Sequence, residues 1–294
     1  MNKIKLAIIL ILLVGTIGAG FWFKKDILKL SDSFSTTVQE FKKTEVGSIV
    51  SEVGKEILTS SPLNIGGASN NAVLLKSKII EETNKQRIAN GLPGLTENLA
   101  LGVAATAKAN DMFKGQYFEH ISPTGVTPGT LVKNSGYEYI VTGENLILGN
   151  FKDEAELVQD WMNSPGHRAN ILNTSYAEIG VSVIKGVYKG ETVWISVQEF
   201  GLPMSACSEP NEDLKNQIES RQEELDILGV TVDEQRAAID SADKRSAYYN
   251  DLIDTYNGSA KKYNSLAQEL KNIVAIYNDQ VNSFNDCIIN AQEE

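Results

Sequence analysis

Only two of the 294 residues are histidines, and both stand in short polar motifs: His120 in EHISPTG and His167 in NSPGHRANIL. Between them TGENL supplies a carboxylate, Glu144, and an amide, Asn145. Two imidazoles and a carboxylate with a water would match a catalytic zinc shell in donor type. His120, His167 and Glu144 are therefore candidate metal ligands, with a divalent ion such as Zn²⁺ as the candidate cofactor, although no HExxH spacing supports the set. The same three residues with Asn145 could instead line a cleft for another ligand, or the histidines could be a hydrogen-bonded pair that orders two turns. Serine nucleophiles find little support. Ser164 reads as a helix cap without a GxSxG elbow, and Ser122 is too near His120 in sequence for both groups to reach one point.

The elements that must hold these residues are legible in part. A helix is expected over 72–90, ending at Asn90-Gly91, and a second from about Glu97 to Lys114 with the apolar residues Leu99, Val103 and Ala107 on one side. His120 follows that helix and precedes the Ser122-Pro123 turn. Thr127-Pro128 opens a short helix that ends at Ser135-Gly136. Asp153 and Glu156 form a capping-box pattern ahead of the inward residues Leu157, Val158 and Trp161. With Ser164 as cap and Pro165 as first residue, His167 falls in a first turn, where the helix dipole disfavours imidazolium and sets its pKa below about 6.5. Asn145 is expected to bond the backbone around a turn at Gly143. The period then changes: Ile179, Val181 and Val183, then Val193, Ile195 and Val197, alternate about a Lys189-Gly190 turn as an antiparallel hairpin, with Gln198 at the core edge and Glu178 solvated. Helices followed by strands with apolar residues on both faces indicate an α+β sandwich.

In this order, EHISPTG, TGENL, SPGHRANIL, EIGVSV and WISVQEFG resemble the CAP superfamily (cysteine-rich secretory proteins, antigen 5 and pathogenesis-related proteins), and especially its bacterial extracellular, SCP-like branch. The resemblance covers residues 72–202. It implies an α-β-α sandwich with an open cleft lined by two histidines, here His120 and His167, and two acids, the first being Glu144. The second acid departs from the family pattern. In eukaryotic members it lies three residues after a helix tryptophan, where this chain has Ser164 after Trp161, leaving three of the four polar corners. The eukaryotic cysteines are also absent, so the roles of those branches do not transfer.

Outside 72–202 the chain changes character. Eighteen uncharged residues lie between Lys5 and Lys24. As a helix they would span about 27 Å, enough to make 1–25 a signal anchor, or a cleaved signal peptide that would leave a secreted protein. Apolar residues at 27, 30, 34, 38, 41, 49, 53 and 57 fit a juxtamembrane amphipathic helix, and SSPLNIGGASNN at 60–71 reads as a linker, so 26–71 is expected to lie outside the globular domain. Acids outnumber bases 38 to 27, and 18 of those acids against 8 bases lie from Glu209 onward. That balance excludes a basic nucleic-acid-binding face.

Residues 207–294 are expected to be a helical coiled coil. One heptad series runs Ile218, Leu225, Val232, Ile239 through to Ile288, and the second includes Tyr249, Tyr256, Tyr263, Tyr277 and Phe284 as packed rings. Leu252, Leu266 and Ile273 widen the stripe. A continuous helix over this stretch would be about 120 Å long, while a disulfide needs its Cα atoms within about 7 Å, so Cys207 and Cys287 can pair within one chain only if it folds back. An antiparallel hairpin turning near 243–247 satisfies both. The unbroken register, with no Gly or Pro at its midpoint, fits a parallel homodimer instead.

Three functions are consistent with these features. The first is an envelope-anchored extracytoplasmic protein, held to the membrane by its N-terminal helix, that binds a ligand or metal at His120, Glu144, His167 and Asn145 without catalysis. The second is a metal-dependent hydrolase of peptide or cell-wall material using His120, His167 and Glu144. The third is an assembly protein that meets an envelope partner through the coiled coil.

Overall fold

A computed structural model describes residues 56–67 and 71–293. The expected anchor over 1–25 and the stalk up to residue 55 lie outside the described residues. Among the described residues, no helix is long and apolar enough to cross a membrane. Residues 56–211 with 277–293 make one compact unit and 212–276 another.

The first unit is built on a mixed sheet. Its strands are β1 (Glu56–Thr59), β2 (Leu63–Gly66), β3 (Thr96–Glu97), β4 (Tyr139–Gly149), β5 (Glu178–Tyr188) and β6 (Glu191–Pro203), in the order β1-β4-β6-β5-β3, with β2 also on β4. The β5–β6 hairpin closes on Lys189 and Gly190, both at positive φ as a tight right-twisted turn requires. Side chains alternate across each strand, so one face of β4 and β6 presents Leu146, Leu148, Ile195 and Val197, and the other Ile147, Trp194 and Phe200.

Helices cover both faces, giving the expected α-β-α sandwich. On the first face lies α2 (Leu99–Gly115), which packs with α3 (Pro128–Asn134). On the second lie α1 (Lys76–Ala89), α4 (Glu154–Asn163) and α5 (Pro165–Ile171). In α4 the expected cap forms: the Asp153 carboxylate accepts from the Glu156 N–H at 2.8 Å, while Glu156 accepts from the Lys152 N–H at 2.6 Å. Leu157, Val158 and Trp161 are fully buried, each burial contributing about 1.5 to 3 kcal/mol.

Three expectations are corrected here. The inward face of α2 is Leu101, Ala104, Ala105, Lys108, Ala109 and Met112, while Leu99 and Val103 are exposed. The helix lies close on the sheet here: a Cβ at Gly180 of β5 would stand 2.1 Å from the Gly102 nitrogen and 2.5 Å from the Leu101 Cβ, so Leu101 and not Leu99 faces the strand. Residues 56–66, expected as the end of an amphipathic helix and a linker, instead form two strands parallel to β4, pairing Glu56–Thr59 with Val141–Glu144 and Leu63–Gly66 with Ile147–Gly149. Glu178 is half-buried, accepting from the Tyr137 hydroxyl at 2.6 Å and the Asn98 amide at 3.2 Å.

The second unit is helical. Helix α6 (Glu212–Ser241) and the first part of α7 (Tyr248–Glu293) run as an antiparallel pair around the turn at 242–247, with Val232, Ile239, Tyr256 and Ala260 buried between them. Arg221 pairs with Glu269 at 3.2 Å across the two helices. In this unit the heptad residues Val232, Ile239, Tyr256 and Ala260 are thus buried within one chain. Cys207 is disulfide-bonded to Cys287, with Cα atoms 5.9 Å apart. Phe284 and Ile288, which flank Cys287 on α7, pack into the core of the first unit.

Candidate functional site

The site forms where β4 meets its own N-terminal edge strands. Glu144 lies on the α2 face of β4 and is fully buried, and its Oε1 is 2.6 Å from His120 Nδ1. The other ring nitrogen, Nε2, bonds the carbonyl oxygen of Ser60, which lies between β1 and β2. Both partners of the ring are acceptors when Glu144 is ionised. An imidazole can fill both bonds only when both its nitrogens carry hydrogen.

Directly opposite Glu144 on β6 stands Glu199, also fully buried. Burial, and then the neighbouring Glu144, push the Glu199 carboxyl well above the ordinary carboxylate range, with Lys108 opposing. Two carboxylates have no hydrogen to share, whereas a protonated Glu199 can donate to Glu144. One proton between the pair is the arrangement that burial favours. Lys108, buried on α2, donates to the His120 carbonyl at 2.5 Å and lies 5.0 Å from the centre of the Tyr117 ring. Burial lowers its pKa, partly offset by Glu144 and Glu199.

His167 reaches the same edge from the opposite face. It is buried on α5, and Asn145, pointing to that face, donates to its carbonyl at 3.1 Å. Asn170 of the same helix donates to the Asn145 side chain at 3.0 Å, and Gln198 accepts from Asn145 at 3.2 Å while donating to Thr83 at 2.7 Å. Asn145 therefore ties α5 to the sheet. Gly143 lies inside β4, not in a turn, and is glycine because the Tyr176 hydroxyl would stand 2.0 Å from its Cβ. Arg87, buried on α1, donates to the Ile171 and Asn173 carbonyls at 2.8 and 2.7 Å and so fixes the C-terminal end of α5.

Ser164 occupies the N-cap position of α5 but makes no side-chain cap. Its hydroxyl is instead 2.8 Å from His167 Nδ1. Burial, and then the charge on His120, lower the His167 pKa to about 4, the Leu146 backbone acting the other way. The direction is the one expected from the helix terminus, but burial is the larger cause.

The structure thus brings His120 and Glu144 into direct contact, and places Asn145 and His167 together on the far face of β4. Sequence reasoning missed Glu199, Lys108 and Ser60. Glu199 continues the row Val193, Ile195, Val197, and a carboxyl in a buried apolar row was a usable signal. A second buried acid, Glu199 on β6, faces Glu144, while the position three residues after Trp161 remains Ser164. Among the described residues, no group of three or more His, Cys, Asp or Glu side chains is placed to hold a metal ion. Both nitrogens of His120 and Nδ1 of His167 already have protein partners, so the donors as they stand do not fit a zinc shell.

Residues 80–200 match the model of the cysteine-rich secretory protein family, CAP. The uncharacterized protein YkwD of Bacillus subtilis is 39% identical over 125 residues, covering 42% of this chain and 46% of the relative. The uncharacterized membrane protein YlbC of the same organism is 29% identical over 113 residues, covering 38% and 32%. Among solved structures, an extracellular protein containing an SCP domain from Bacillus anthracis is 31% identical, with a TM-score of 0.37 and coverage of 43% of this chain and 39% of that one. A cysteine-rich secretory protein from Staphylococcus aureus is 26% identical, with a TM-score of 0.34 and coverage of 43% and 38%. Residues 80–200 are thus similar to the CAP domain family and to its B. subtilis relatives. The matches span less than half the length of either B. subtilis relative.

Proposed function

We propose that this protein is a binding module of the cell envelope whose ligand is held, without turnover, at the β4 edge by His120 and Glu144 on one face and by α5 with His167 on the other. The observation that carries this reading is the setting of His120: buried Glu144 holds Nδ1, and Nε2 meets the main-chain carbonyl of Ser60, the position that a carbonyl of a ligand would take in its place. A general base needs a free, basic nitrogen. His167 is no better suited, being buried with a pKa near 4 and held by Ser164. An extracytoplasmic location is supported by the Cys207–Cys287 disulfide, which persists in oxidising compartments, and by the apolar run between Lys5 and Lys24 that would anchor the chain. The B. subtilis relative named as a membrane protein is consistent with that anchor.

The test is to incubate the full chain with defined peptides and with peptidoglycan fragments, following products by mass spectrometry and the two histidine rings by NMR. The expected result is a shift of the His120 resonances by at least one probe with no product formed. Product made by the wild type but not by Glu144→Gln, with or without added Zn²⁺, would replace this reading with the hydrolase.

A further inference from the structure

Residues 56–66 do more than extend the sheet. They run parallel along β4, pairing at Val141–Glu144 and again at Ile147–Gly149, and leave it between these stretches at Ser60–Pro62. At that excursion the Ser60 carbonyl takes His120 Nε2, and Ser60 Cβ stands 2.6 Å from where a Cβ on Gly166 would be. Asn170 Nδ2 lies 3.4 Å from the Leu58 carbonyl. The segment thus occupies the edge between His120 and α5, held there by its main chain.

We infer that the β4 edge is an acceptor site for an extended peptide of the pattern Leu-x-Ser-x-x-Leu, and that residues 56–66 are its resident occupant, displaced when a partner polypeptide offers the same pattern. This rests on the ligand-binding reading above. Strand addition supplies affinity through backbone hydrogen bonds, and side-chain pockets supply the choice of sequence. Here Leu58 and Leu63 pack on the central core, and the Ser60 side chain lies so close to α5 that residue 166 there has room for no Cβ. His120 and Asn170 recognise carbonyls that every peptide carries.

The resident segment is also an imperfect occupant. The Ser60 hydroxyl is buried without a hydrogen-bond partner, an arrangement that costs stability. Ile57 and Ile65 remain 37% and 44% exposed, and each strand is four residues long. A ligand that makes the same backbone bonds and satisfies the serine position has room to win.

The probe is a fluorescein-labelled peptide of residues 56–66, EILTSSPLNIG, added to the full chain in detergent. In the variant Leu58→Asp/Leu63→Asp, the resident segment loses its two anchors. The peptide should then bind at least 10-fold more tightly than to wild type, and a peptide carrying Ser60→Tyr at least 10-fold more weakly. Amide protection at Val141 and Gly143 should fall in the variant and return with the peptide. A variant that keeps β5 and β6 protected yet ignores the peptide overturns the inference. Should the variant unfold, wild-type hydrogen exchange decides: the β1 amides should exchange at least 100-fold faster than those of β5 and β6, and equal rates would show an integral strand pair and refute the site. Exchange of segments between two copies, seen as a dimer by native mass spectrometry, supports the site and makes the partner a second copy. If the peptide fails while a peptidoglycan fragment still shifts the His120 ring, this inference falls and the binding reading stands.

Discussion

Glu144 and Glu199 face one another directly across β4 and β6, and both side chains are sealed from solvent. A pair of carboxyls in that position is stable only with a proton between them, and Glu199 is the group whose affinity for it is raised. A folded-state pKa above the unfolded value contributes stability that is complete below about 4.5 and lost as the pH rises from there toward the folded pKa. Glu199→Gln removes that loss while its amide can still donate to Glu144. Chemical denaturation should find the variant more stable than wild type at pH 7, with the advantage shrinking to nothing near pH 4.

His167 behaves in the opposite sense. Its folded pKa of about 4 lies below the model value of 6.5, so the unfolded chain binds the extra proton first. The associated stability is present above pH 6.5 and lost as the pH falls toward 4, a change of about 2 to 3 kcal/mol. NMR titration of the ring should give a midpoint near 4. Denaturation midpoints measured between pH 7 and 4 should decline in wild type and decline less in His167→Asn.

The Cys207–Cys287 bond joins residues 80 positions apart. The chain-entropy account gives about 4 to 5 kcal/mol for a closed loop of that length. Cys207→Ser/Cys287→Ser, or reduction with dithiothreitol, should lower the melting temperature, and intact-mass analysis of the oxidised protein should find no free thiol.

Gly180 marks where α2 lies against the sheet, with the Leu101 and Gly102 backbone within 2.2 Å of a Cβ that would be added there. Gly180→Ala must push α2 outward, an overpacking cost of about 1 to 3 kcal/mol or more. Lys108 moves with that helix, so the variant should also perturb the His120 ring resonances.

How far the sequence could be read follows from which interactions were local. Helix α4 was legible because its cap lies three residues from its partner and its apolar residues repeat at helical spacing. The hairpin of β5 and β6 was legible because alternation and a Lys-Gly turn fall within one window. The folding back of the heptads was constrained by the length of a helix against the reach of a disulfide. Lys108 gave no such signal, since its carboxyl neighbours Glu144 and Glu199 are brought to it only by the sheet. Residues 56–66 were unreadable as strands because their pairing partner lies more than 80 residues further along the chain, and their Ser, Pro and Gly content resembles a linker. Glu199 was the avoidable omission, a charge standing in a row of buried valine and isoleucine.

The state of the His120 ring is the most direct test of the account. A long-range ¹H–¹⁵N correlation spectrum of the full chain, recorded before and after stoichiometric Zn²⁺, reports each ring nitrogen separately. The account predicts hydrogen on both Nδ1 and Nε2, engaged with Glu144 and Ser60, and no change on adding the metal. A bare Nε2, or the joint loss of the His120 and His167 signals with one equivalent of Zn²⁺, would contradict it and turn the cleft into a metal site.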